Sequence, residues 1–118
     1  MKFTAVVVIA PDDLEDTVIE QAQRAGATGV TILPGKGIGG EAKRTFFGLT
    51  FEGSQTVLLM VVGTHLATPI LKVLHDILID DDDGGSRGIA FSVPIDHLTG
   101  IDMQQVARFE EHMRREGA

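Results

Sequence analysis

The chain has 118 residues, which suits about one domain and lets it bury roughly two-thirds of its unfolded surface, so neither a disulfide nor a structural metal is needed for folding. Its 43% hydrophobic and 23% charged residues exclude a disordered chain, and the absence of cysteine excludes disulfides, thiolate catalysis and cysteine metal sites. A formal charge of −7, from 17 acidic against 10 basic residues, argues against nucleic acid as a partner, because phosphate would meet a repulsive overall field.

Phe3 to Ile9 is a nearly continuous β-branched run of strand length, which predicts a central strand. The apolar run stops at Pro11 and Asp12, too short for a signal-peptide core or a bilayer span, and the expectation is a cytoplasmic protein. Asp12 and Glu15 have capping-box spacing. Leu14, Val18, Ile19, Ala22 and Ala25 then recur at helical intervals, and Gly26 supplies a stop. Thr28 to Leu33 returns to strand chemistry. Beyond a glycine-rich loop, Thr45 to Phe51 and Thr56 to Val62 read as strand segments on either side of a Glu-Gly-Ser-Gln turn.

Ile70, Leu71, Val73, Leu74, Ile77 and Leu78 predict a second helix, capped by Thr64 or by Thr68 with Pro69 at the first helical position. An acidic turn from Asp80 to Gly85 leads to a strand at Gly88 to Val93. Asp102 with Gln105 starts a third helix bearing Met103, Val106, Phe109 and Met113. The expected fold class is therefore α+β, a ferredoxin-like βαββαβ sandwich with an additional C-terminal helix, in a single domain covering residues 1–118. Both βαβ helices cover one sheet face in that fold, and the uncovered face invites oligomerisation.

Two loops concentrate cations in this acidic chain. Gly35, Gly37, Gly39 and Gly40 leave main-chain amides unobstructed, so successive N–H groups are able to converge on phosphate oxygens with Lys36 adding charge. Hydrogen bonds to a charged group contribute roughly 1.5–3 kcal/mol each, enough in a small set for micromolar affinity. Gly84-Gly85-Ser86-Arg87-Gly88 is a second glycine loop with a cation, before the last strand. On one subunit or on two neighbours, the loops could close on one anion.

The remaining candidates have plainer readings. His65, His75, His97 and His112 lack the spacing of a helical zinc pair and are expected at the surface or at caps. Asp80 to Asp83 lacks the alternating pattern of a calcium loop and reads as a solvated turn. Phe46, Phe47, Leu49 and Phe51 read as subunit-interface contacts. Arg108, Arg114 and Arg115 lie opposite Val106, Phe109 and Met113 on the third helix, whose expected dock is its own assembly. No nucleophile with a base, and no paired carboxylates, mark an enzyme.

Gly-Ala-Thr-Gly-Val-Thr at 26–31, Lys-Gly-Ile-Gly at 36–39, Gly-Ile-Ala-Phe-Ser-Val-Pro at 88–94, and Leu59-Met60-Val61-Val62 running into Thr64 together resemble the PII signal-transduction proteins, in particular their divergent PII-like group. The resemblance spans about Lys2 to Ile101. It implies a homotrimer with an adenine nucleotide (ADP, AMP, ATP or a cyclic nucleotide) between subunits, and a loop that reports the ligand to a partner such as a membrane transporter. Thr31 and Val61 would then lie near the adenine, with Gly35, Lys36, Gly37, Ile38 and Gly39 around the phosphates and Ser86, Arg87 and Gly88 entering from the loop before the last strand. Gly40, Glu41, Ala42, Lys43 and Arg44 would form the partner-binding loop. The implied output is signalling, with neither a catalytic cofactor nor a metal.

The departures from the family pattern are also informative. Gly40-Glu41 replaces Arg-Gln, which puts the joint reading of Mg-ATP and 2-oxoglutarate in doubt. Ile89 replaces a lysine, which moves the expected ligand towards mono- or diphosphates or a cyclic nucleotide. The chain has no tyrosine to uridylylate. The rival reading is a CutA-like ferredoxin-fold trimer acting as a structural or metal-linked module, although the histidine and cysteine ligands it requires are missing.

Overall fold

The structure is a computed structural model that describes residues 1–36, 45–46, 49–50, 54–80 and 85–117. In chain order its elements are β1 (Phe3–Pro11), a 3-10 turn (Asp12–Leu14), α1 (Glu15–Arg24), β2 (Thr31–Lys36), β3 (Thr45–Phe46), β4 (Leu49–Thr50), β5 (Ser54–Gly63), α2 (Thr64–Leu78), β6 (Ile79–Asp80), β7 (Gly85–Ser86), β8 (Ile89–Ile95) and α3 (Met103–Gly117). Strands β2, β5, β1 and β8 form a four-stranded sheet in that order, with every neighbouring pair antiparallel. This is the ferredoxin-like arrangement with one helix added at the C-terminal end.

The apolar run of β1 earns its central place by pairing with β5 on one side and β8 on the other. Val6 and Val8 of β1 and Leu58 and Met60 of β5 point to the helix side, where Val18 and Ala22 of α1 and Leu66, Ile70 and Leu74 of α2 close the core. Each large side chain buried there contributes about 1.5–3 kcal/mol relative to exposure. The opposite face has no covering layer among the described residues. Leu33 is 49% exposed, Leu59 36%, Phe91 42% and Val93 46%.

Helix ends show where tertiary contacts override local signals. Asp12 and Glu15 do not form a capping box. Asp12–Leu14 winds as a 3-10 turn with no side-chain cap, so Glu15 becomes the first residue of α1 and its Oε1 accepts the Thr56 hydroxyl at 2.7 Å. Gly26 does stop α1 as expected. At φ 118° it completes a Schellman motif, its N–H donating to the Gln23 carbonyl and that of Ala27 to the Ala22 carbonyl, both at 3.0 Å.

Neither Thr64 nor Thr68 caps α2, which starts at Thr64 behind Gly63 and holds Pro69 inside the helix. Thr64 is drawn to β1 instead, where its N–H donates to the Lys2 carbonyl at 2.9 Å and its hydroxyl meets that of Thr4 at 2.9 Å. The expected cap of α3 is present: Asp102 Oδ1 accepts the N–H groups of Gln104 and Gln105 at 3.0 and 3.2 Å. Glu110, 4% exposed, ties α3 to the start of α2 through His65 Nε2 at 3.1 Å.

The middle of the chain differs from expectation in two places. The second strand starts at Thr31 and runs to Lys36 instead of covering Thr28 to Leu33, because β5 begins early enough to offer Gln55 and Ser54 as partners for Gly35 and Lys36. Pro34 is tolerated because β2 is an edge strand. Thr45–Phe46 and Leu49–Thr50 pair with each other, outside the four-stranded sheet, in place of one strand from Thr45 to Phe51.

Candidate functional site

Gly35 and Lys36, expected in the glycine loop, are ladder residues at the end of β2. Gly35 borders an open cleft of about 350 Å³ whose walls also include Asp12, Glu15, Ile32, Pro34 and Gln55. Gln55 is 2% exposed and its Oε1 has no partner among the described residues. Thr31 pairs with Leu59, and Val61 follows two residues along β5, so Thr31 and Val61 occupy neighbouring rows of the open face. Thr31 is exposed and Val61 half-buried.

Ser86, Arg87 and Gly88 lie just before β8. Ser86 Oγ donates to the Gly88 carbonyl at 2.7 Å, and the Arg87 N–H donates to the Leu78 carbonyl at 2.7 Å. Gly88 is buried, and a Cβ there would stand 2.5 Å from the Ile9 carbonyl oxygen and 3.1 Å from Ala10 Cα. Close passage of the chain over β1 therefore requires this glycine on packing grounds alone. A smaller cleft of about 280 Å³ beside it is walled by Leu71, His75, Leu78, Ile79, Gly88 and Ala90.

The two groups share one end of the sheet and sit on its opposite edges, β2 and β8. Three strand spacings separate those edges, ~14 Å. Within one chain the sheet brings Thr31 and Val61 together and keeps Gly35 and Lys36 apart from Ser86 and Gly88. Arg87 alone reaches inward, its Nη2 standing 3.5 Å from Asp13 Oδ2 in the turn after β1. Sequence reasoning missed Asp13, and the pair, 74 positions apart, leaves no local signal.

Gly37, Ile38, Gly39, Gly40, Glu41, Ala42, Lys43 and Arg44 lie outside the described residues, as does the tip of the acidic turn at 81–84. The interface reading of Phe46, Phe47, Leu49 and Phe51 also concerns side chains outside the description. Among the described residues no cluster of three or more His, Asp or Glu could hold a metal ion, and no helix is long and apolar enough to cross a membrane.

Comparison with known proteins agrees with this architecture. A PII-like signalling protein of Thermus thermophilus superposes with a TM-score of 0.58 at 26% identity, over 80% of this chain and 88% of that one. CPII from Thiomonas intermedia, bound to ADP, AMP and acetate, gives 0.56 at 16% identity over 81% and 90%. A DUF3240-family protein from Shewanella baltica gives 0.63 at 12% identity over 86% and 99%. No curated protein sequence matches significantly. The family model described as nitrogen regulatory protein P-II matches residues 3–105, nearly the full set of elements laid out above, and the chain belongs to that family.

Proposed function

We propose that the chain is a single-domain, cytoplasmic PII-like regulator that forms a homotrimer and binds an adenine nucleotide in each cleft between subunits. The loop from Gly40 to Arg44 then passes the liganded state to a target protein such as a membrane transporter. The carrying observation is that the two candidate ligand groups lie on opposite edges of one sheet whose apolar face is uncovered. A second copy laid against that face sets its β8 edge beside this β2 edge, so that Lys36 of one subunit and Arg87 of the next approach the same phosphates.

In this reading Thr31 and Val61 flank the adenine, Gly35 to Gly39 follow the phosphates, and Ser86 to Gly88 close the cleft from the neighbour. ADP and AMP are the favoured ligands, as CPII carries both and as Ile89 supplies no charge for a third phosphate. The protein works by binding, and a ligand moves the loop only as far as its affinity differs between two loop states. Calorimetric titration with ATP, ADP, AMP, cyclic AMP and cyclic di-AMP tests the reading, repeated on Lys36→Ala and Arg87→Ala. Micromolar binding of at least one nucleotide, weakened about tenfold in each variant, is the expected result. Absence of binding below millimolar concentration refutes it.

A further inference from the structure

The geometry points to Asp13 as a built-in competitor for Arg87. The carboxylate occupies the guanidinium until a phosphate displaces it, and so sets how much anionic charge a ligand must bring. This inference rests on the nucleotide-binding reading above.

The backbone around Arg87 is held on both sides. Its own N–H is bonded to the Leu78 carbonyl at 2.7 Å, Ser86 Oγ to the Gly88 carbonyl at 2.7 Å, and Gly88 is pressed against the Ile9 carbonyl. The side chain thus swings from a fixed base beside the end of β1. Of the acids after that strand, Asp12 and Glu15 line the Gly35 cleft, with Glu15 also accepting the Thr56 hydroxyl, while Asp13 meets Arg87.

The contact has the character of a pair made to be exchanged. Its 3.5 Å separation exceeds the 2.7–2.9 Å typical of a charge-assisted bond, and the Arg87 and Asp13 side chains are 40% and 71% exposed. Among the described residues the Arg87 side chain makes one contact, which leaves most of its five guanidinium donors for other acceptors. A phosphate offers more charge and a bidentate match, so it displaces a carboxylate held this loosely. The affinity of a phosphate ligand is lowered by the fraction of Arg87 already occupied, and an exposed ion pair sets that factor at about 1.4- to 5-fold. A nucleoside without phosphate makes no demand on Arg87 and feels no competition.

The test is a calorimetric cycle on the full chain with Asp13→Asn, Arg87→Ala and the double variant, each titrated with ADP, AMP and adenosine. Asp13→Asn is expected to tighten ADP and AMP about 1.4- to 5-fold, to leave adenosine unchanged, and to have no effect once Arg87→Ala is present. If Arg87→Ala weakens nucleotide binding and Asp13→Asn changes nothing, the competitor role is overturned while the nucleotide site stands. If Asp13→Asn tightens adenosine equally, the residue acts through the fold and the inference fails. If Arg87→Ala binds like the parent, Arg87 is outside the site and this part of the functional reading falls with it.

Discussion

Along β5, Leu58 and Met60 are buried to 0% and 1% exposure, whereas Leu59 between them is 36% exposed. The same contrast runs through β1 and β8. Val6 and Val8 are sealed under the helices, while Phe91 and Val93, across the sheet on the other face, stay 42% and 46% exposed. Strands with apolar residues on both faces are the mark of a sheet covered on both sides. Among the described residues only one face has a cover, so the composition of the open face suits the second layer that the proposed assembly would bring.

That contrast can be broken from either side, and the expected effects run from large to small on the stability of the single chain. Leu58→Ala on the covered face leaves a cavity under α2 and costs about 2–5 kcal/mol in chemical denaturation. Gly88→Ala places a Cβ 2.5 Å from the Ile9 carbonyl oxygen, where backbone cannot yield cheaply, and an overpacked site costs about 1–3 kcal/mol in the same assay. Val93→Asp on the open face changes the stability of the isolated chain by no more than about 0.5 kcal/mol. It is expected instead to lower the mass seen by light scattering from trimer to monomer. A Val93→Asp protein that keeps its assembly removes the open face as the interface, and one that unfolds shows that the face belongs to the chain's own core.

Most of the framework was legible in the residues themselves. The continuous apolar run from Phe3 to Ile9, the helical spacing after Asp12, the Gly26 stop and the Asp102 cap are local patterns, and each appears in the fold. The failures share a cause. Thr64 is a candidate cap by residue type, yet its N–H donates to the Lys2 carbonyl and its hydroxyl pairs with that of Thr4. Glu15 has capping-box spacing, yet its carboxylate goes to Thr56. In each case a partner on a distant strand offered a bond that local sequence could not announce.

The candidate site divides in the same way. Glycine and cation content picked out the segments at 35–44 and 84–88 from sequence, because small residues and concentrated charge are intrinsic to a chain. Sequence could not place Gly35 and Lys36 in a strand, since that depends on where β5 starts. Nor could it give Gly88 a packing reason, which arises only where the chain crosses Ile9. By itself the sequence determined the order of the main strands and helices, the uncovered apolar surface and the two cation-bearing segments, because periodicity and composition are local properties. Only the tertiary structure decided that Gly35 and Lys36 fall on the opposite sheet edge from Ser86 and Gly88 and that Asp13 waits beside Arg87, because strand order and ion pairing join residues that the chain keeps far apart.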